Sequence, residues 1–195
     1  MKNIEQINYS NLAQKELSNL KKSIEWNGDK DWERYQKLTS KDTVTDQEMA
    51  RIVNYTNKMK LRSPDFCMKR ITDNQAKELW KLECRWLRMW KLENITDVQA
   101  EELWYFERLD LDWLKTITDR QATLLSNVEE LYLNWLTTIT DRQANKLSHV
   151  KTLHIVWLRS MTDRQATELA KVKHLNINKD ILTPKQKEIL KNNIM

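Results

Sequence analysis

One segment recurs along this chain: ITDNQAKEL from Ile71, ITDVQAEEL from Ile95, ITDRQATLL from Ile117, ITDRQANKL from Ile139, MTDRQATEL from Met161 and LTPKQKEIL from Leu182. Its acidic residues, Asp73, Asp97, Asp119, Asp141 and Asp163, are spaced 24, 22, 22 and 22 residues apart, and Thr183 follows Thr162 by 21. A fixed period in the twenties marks a stacked array, because a unit that short cannot bury its own apolar side and must bury it against its neighbours.

Each unit has two halves with different periods. In the unit from Val128 to His149, Leu131 and Leu133 alternate with Glu130, Tyr132 and Asn134, as in a short strand with one buried face. The pair recurs as Leu87/Met89, Leu109/Leu111, Leu153/Ile155 and Leu175/Ile177. The second half places Ala144, Leu147 and Val150 on one narrow helical face. Stacking such units lays the strands side by side in a parallel sheet about 4.8 Å apart.

The polar part of the repeat reads as scaffolding. Thr140 and Gln143 have the spacing of a capping box, in which the Thr hydroxyl and the Gln amide satisfy backbone N–H groups at the helix start. Asp141 falls at the first helical position, where a negative charge suits the helix dipole. In the last copy Pro184 stands in that place. Pro is tolerated there because that N–H has no helical partner, whereas a catalytic Asp would not exchange with Pro.

The pattern Val128, Leu131, Leu133, Leu136 (VxxLxLxxL), followed by a helical segment, resembles the leucine-rich repeat family over roughly residues 80 to 182. It looks most like bacterial variants whose convex segment begins ITDxQAxxL. The resemblance implies an α/β fold: a right-handed solenoid of about five to six rungs, with a parallel sheet on the concave face and short helices on the other. It also implies protein or peptide binding through the sheet. One departure is that the family's usual Asn after the second strand leucine is Leu here, at Leu92, Leu114, Leu136 and Leu158. Apolar stacking is therefore expected to hold the turn. VTDQEMARI, from Val44, reads as a degenerate copy at the start of an N-terminal cap. Residues 10 to about 38, with Leu12, Leu17, Leu20 and Ile24 at helical spacings and a break at Asn27-Gly28, read as a helical hairpin. The expected division is a helical cap region over 1–58 and the solenoid with a C-terminal capping helix over 59–195. Two extra residues between Leu79 and Leu87 should bulge that connection.

With the scaffold assigned, the outward strand positions form columns. Trp86, Arg108, Glu130, Thr152 and His174 make the first, Arg88, Asp110, Tyr132, His154 and Asn176 the second, and Trp90, Asp112, Asn134, Val156 and Asn178 the third. These positions vary while their frame repeats, and Trp, Tyr and Arg are the types that most often anchor interfaces. The expected partner-binding residues are Trp86, Arg88, Trp90, Arg108, Asp110, Asp112, Tyr132, Asn134 and His154, and the expected partner is a helix or loop of another protein. Trp113, Trp135 and Trp157 on consecutive rungs should form an aromatic ladder along the rim. That ladder would either cover the turn or serve as a groove or a self-association surface.

Other chemistry finds little footing. A single Gly, Gly28, leaves no material for phosphate-cradling loops or dinucleotide fingerprints. Cys67 and Cys84 lie in no metal-ligand spacing and read as free buried thiols. His154 and His174 cannot converge with the third or fourth ligand that a metal requires. Asp110 and Asp112 read as a solvated acidic spot. Catalysis, a cofactor and a metal are therefore not expected. Nucleic acid is the rival partner class, since the net charge is +5 and Trp and Arg stack on bases. Acids interleaved with the Arg residues break any continuous positive track. No apolar run suggests a signal peptide or a membrane span, so the expected location is the cytoplasm, although a leaderless secreted protein would read the same.

Overall fold

The computed structural model describes residues 28–194 of the chain. The first arm of the expected hairpin lies outside the described residues. Its second arm is a helix, α1 (Gly28–Thr39). From Tyr35 onward the described chain is one compact unit. It continues as α2 (Asp46–Lys58), α3 (Asp73–Leu79), β1 (Trp86–Arg88), α4 (Asp97–Leu103), β2 (Arg108–Asp110), α5 (Asp119–Leu125) and β3 (Glu130–Tyr132). Then come α6 (Asp141–Leu147), β4 (Thr152–His154), α7 (Asp163–Leu169), β5 (His174–Asn176), a 3-10 turn (Lys179–Ile181) and α8 (Pro184–Leu190). The fold is α/β, with strands and helices alternating. The five strands form one all-parallel sheet in the order β1-β2-β3-β4-β5. Consecutive helices from α2 to α8 pack against one another.

The register follows the period of the sequence. Leu87, Leu109, Leu131, Leu153 and Leu175 are paired strand to strand and fully buried. The second apolar residue of each pair lies just past the strand, and on the first four rungs one further rung-to-rung bond forms there, as from Leu111 N–H to Tyr132 O at 3.0 Å. The backbone then turns back on itself, and Leu136 N–H donates to Leu133 O at 3.1 Å. Leu92, Leu114, Leu136 and Leu158 fill the core beneath these turns.

Every helix from α2 to α8 starts in a complete capping box, with Thr45, Thr72, Thr96, Thr118, Thr140, Thr162 and Thr183 at the cap. Thr45 has Glu48 as its reciprocal partner, so the degenerate copy from Val44 is a true member of the stack. The box also reaches between units, which local spacing does not reveal. Gln143 is buried; its Oε1 accepts from Thr140 N–H at 2.9 Å, while its Nε2 donates to Ile117 O of the preceding unit at 2.7 Å. Gln75, Gln99, Gln121, Gln165 and Gln186 make the same backward bond.

The Thr hydroxyl, having accepted from the Gln N–H, donates its proton to the previous unit's Asp. Five such steps, Thr72 to Asp46, Thr96 to Asp73, Thr118 to Asp97, Thr140 to Asp119 and Thr162 to Asp141, measure 2.9–3.3 Å. The other oxygen of Asp97, Asp119 and Asp141 lies 3.6–3.7 Å from Arg120, Arg142 and Arg164 of the following unit. At Asp163 the following unit supplies Lys185 and Gln186 instead. The Asp thus acts chiefly as an acceptor for its successor, and Pro184 offers no such acceptor.

Both sheet edges are covered, as unpaired strand edges would otherwise recruit other chains. Phe66 N–H donates to Arg88 O at 2.8 Å and Arg88 N–H to Pro64 O at 3.1 Å, so Pro64–Phe66 pairs along β1. At the far end Leu175 N–H donates to Asn193 O at 2.7 Å. The longer connection after α3 is clamped from α2. Asn57 donates through Nδ2 to Lys81 O at 2.7 Å and accepts from Glu83 N–H at 2.9 Å. Lys60 closes α2 in the left-handed region, with φ of 52°, and Leu61 N–H returns to Thr56 O, a helix stop more often built on Gly. No helix among the described residues is long and apolar enough to cross a membrane.

Candidate functional site

The strand register brings the outward residues into the columns expected from the repeat. Along them the side chains partner one another. The Arg108 guanidinium lies over the Trp86 ring, 5.5 Å from its centroid, and its Nε is 3.0 Å from Glu130 Oε2. Glu130 also accepts from the Tyr132 hydroxyl. Burial and the neighbouring carboxylate push that phenol up to about 12. Tyr132 stacks on His154, with ring centroids 4.0 Å apart and planes 9° from parallel. Asn176 Nδ2 lies 3.1 Å from His154 Nδ1, within hydrogen-bond distance. Burial lowers the His154 pKa below its ordinary value, against the pull of Glu130 and Asp112. Trp86 Nε1 and His154 Nε2 are buried with no hydrogen-bond partner among the described residues.

Two expectations are corrected here. Asp110 is not part of a solvated spot: it is 8% exposed, between Arg88 and Tyr132 in its column. Burial first, then repulsion from Asp112, pushes its carboxyl up to about 6. Its Oδ1 accepts from Asp112 N–H at 3.1 Å, and its Oδ2 is 3.7 Å from Arg88 Nε. Nor is the turn held by apolar stacking alone. Asp112 Oδ1 accepts from both the N–H and the Nδ2 of Asn134, at 3.1 and 2.8 Å. Asn134 Oδ1 in turn accepts from Val156 N–H at 3.3 Å. Asp112 and Asn134 therefore bridge successive turns from two residues before the Leu column. Backbone bonds from Trp135 N–H to Asp112 O and from Trp157 N–H to Asn134 O run beside them, both 2.9 Å.

Asp65 was not anticipated. It stands in the edge segment beside β1, with Oδ2 3.6 Å from Arg88 Nη1. The signal was present in the alternation of Phe66 and Met68, both fully buried, with Asp65, Cys67 and Lys69. Arg88 thus lies between two carboxylates, Asp65 and Asp110.

The rim ladder forms and is longer than three. Trp113 and Trp135, and Trp135 and Trp157, have ring centroids 5.6 Å apart, and Trp90 meets Trp113 edge-on at 6.3 Å. Lys91, the rim residue of the first rung, places its ammonium 4.9 Å from the centre of the Trp90 ring. Trp135 and Trp157 are stacked with planes 28° apart, while Trp113 is tilted 41° to Trp135 and half-buried, so the rings pack against each other; Trp135 and Trp157 remain 41% and 60% exposed. Each ring pair contributes about 0.5–1.5 kcal/mol beyond area burial. Trp135→Ala should therefore lower stability by about 2 kcal/mol, and Trp157→Ala, with one ring neighbour, by less. Thermal denaturation checks this; melting equal to the parent for Trp135→Ala would assign the ladder to binding instead.

The remaining reactive groups are quiet. Cys84 is buried, and burial pushes its thiol up to about 11, whereas Cys67 is only half-buried, not fully as expected. Among the described residues, no three His, Cys, Asp or Glu side chains converge as a metal site would require. Set against known proteins, the chain matches no protein-family model and no curated protein.

Proposed function

We propose that the stack is a leucine-rich-repeat-type solenoid acting as a non-catalytic scaffold, which binds a protein or peptide on the outward face of its sheet. The observation that carries this reading is the division of labour within each unit. The repeated Leu, Ala, Thr, Asp and Gln residues are occupied in the core or in bonds to adjacent units. The outward columns, by contrast, differ from rung to rung and carry Trp86, Arg88, Tyr132 and His154. Their mutual contacts hold them in fixed poses, which lowers the ordering cost of binding.

Nucleic acid fits less well. Arg88 and Arg108 face Asp110 and Glu130, and on the helix side each of Arg120, Arg142, Arg164 and Lys185 is matched by an Asp of the preceding unit. A phosphate backbone would meet neutralised pairs on either side.

The test is capture from extracts of the native host by the parent chain, compared with the variant carrying Trp86→Ala, Arg88→Ala and Tyr132→Ala. The buried leucines are untouched, so circular dichroism should show a folded variant, and the captured protein should be lost. Undiminished capture by the folded variant would remove the sheet face from consideration.

A further inference from the structure

The charge of the sheet face runs opposite to that of the molecule. The chain as a whole carries +5. Over the first three strands and the edge segment, the face presents four carboxylates, Asp65, Asp110, Asp112 and Glu130, against two guanidiniums, Arg88 and Arg108, and the Lys91 ammonium at the rim over Trp90. Arg108 is matched by Glu130 at 3.0 Å. Arg88 is shared by Asp65 and Asp110 at the long distances of 3.6 and 3.7 Å, and Asp112 receives only amide donors from Asn134. The group is therefore short of cations, and the raised proton affinity of Asp110 reflects this shortage as well as burial. Aromatic surface borders it: Trp86 and Trp90 flank the Arg88 position, and Tyr132 stands next along the column. Both Trp rings already hold a cation of this chain, Arg108 on Trp86 and Lys91 on Trp90. Cations over such rings are attracted by the ring quadrupole.

We propose that the partner segment docking on this face is basic, inserting a Lys or Arg side chain between the Asp110–Asp112 carboxylates and the Trp90 and Tyr132 rings. The inference rests on the sheet-face reading above and adds the chemistry of the partner. Complementary charge of this kind fixes which segment docks and in what register. It also makes docking pH-dependent, because a proton on Asp110 removes one of the charges that the incoming cation meets. Burial, Asp112 after β2, Arg88 on β1 and Asp65 on the edge segment set that proton's affinity, and the Tyr132 phenol stands beside it in the column.

The test titrates the parent chain with hexa-arginine, hexa-glutamate and an oligodeoxythymidine, following the indole N–H resonances of its Trp residues. Hexa-arginine should shift the Trp86 and Trp90 signals and bind at least fivefold more tightly than hexa-glutamate. Asp110→Asn and Asp112→Asn should each weaken it about fivefold; both substitutions keep the acceptor used by the backbone, so the fold is preserved. Lowering the pH from 7.5 to 5 should weaken the parent by a similar factor and leave Asp110→Asn unaffected. Tighter binding of hexa-glutamate or of the oligonucleotide to these same Trp positions would overturn the basic-partner assignment while leaving the face in use. Shifts confined to residues off the sheet face, unchanged in both variants, would overturn the assignment and count against the face as well. Failure of all three probes to bind would overturn the basic-partner assignment alone, and the capture comparison would still judge the face.

Discussion

Asp110→Asn should stabilise the protein by about 2–3 kcal/mol at pH 8 and have almost no effect near pH 3. The carboxyl titrates at about 6 in the fold against an ordinary value of 3.8. A raised acid favours folding below its unfolded pKa, where both states hold the proton, and that contribution is lost as the pH rises through the folded value. Each tenfold gain in proton affinity corresponds to about 1.4 kcal/mol. Asparagine keeps the acceptor for Asp112 N–H and removes the buried charge. Asp42, Glu48, Asp163 and Glu168 are held lower by their lysine partners and lose their contribution as the pH falls, but they are common to both proteins and cancel in the difference. Urea unfolding of parent and variant at several pH values measures the gap. A difference that stays flat between pH 4 and 8 would show that Asp110 titrates like an exposed carboxyl.

Gln143→Ala should cost about 3 kcal/mol. One amide closes the cap of α6 through a partly buried bond and holds the preceding unit through a buried one to Ile117 O. Its removal leaves Ile117 O buried without a partner, at about 1–3 kcal/mol, and the partly buried Thr140 N–H loses its cap bond as well, at about 1 kcal/mol. Asp141→Asn, which keeps an acceptor for the Thr162 hydroxyl, should cost less than about 1 kcal/mol. Chemical denaturation separates the two. Equal losses would mean that the amide serves its own helix alone and does not tie units together.

The contrast between these residues shows what a linear pattern can and cannot disclose. The capping box is local: Thr140 and Gln143 are three residues apart, and their geometry follows from helix stereochemistry. The strand columns follow too, because a constant period sets residues 22 apart side by side, as the pairing of Leu109 with Leu131 shows. The further uses of the same side chains depend on which neighbour lies within reach. Nothing local indicates that Thr162 gives its proton to Asp141, or that Asp112 and Asn134 take over the bridging that Leu136 cannot perform. The burial of Asp110 depends on large neighbours in its column, and the addition of Trp90 to the ladder depends on the first rung carrying Lys91 at the rim. Asp65 escaped notice because its segment departs from the consensus that made the other rungs visible.

The backward direction of the Thr-to-Asp bond gives the chain a grammar. A unit placed between two existing ones finds an acceptor behind it and offers one ahead, so whole units can be added or removed internally without leaving a polar group stranded. After Thr183 the rule changes. Pro184 has no side-chain oxygen to offer a successor, so a unit grafted beyond it would have to supply its own beginning.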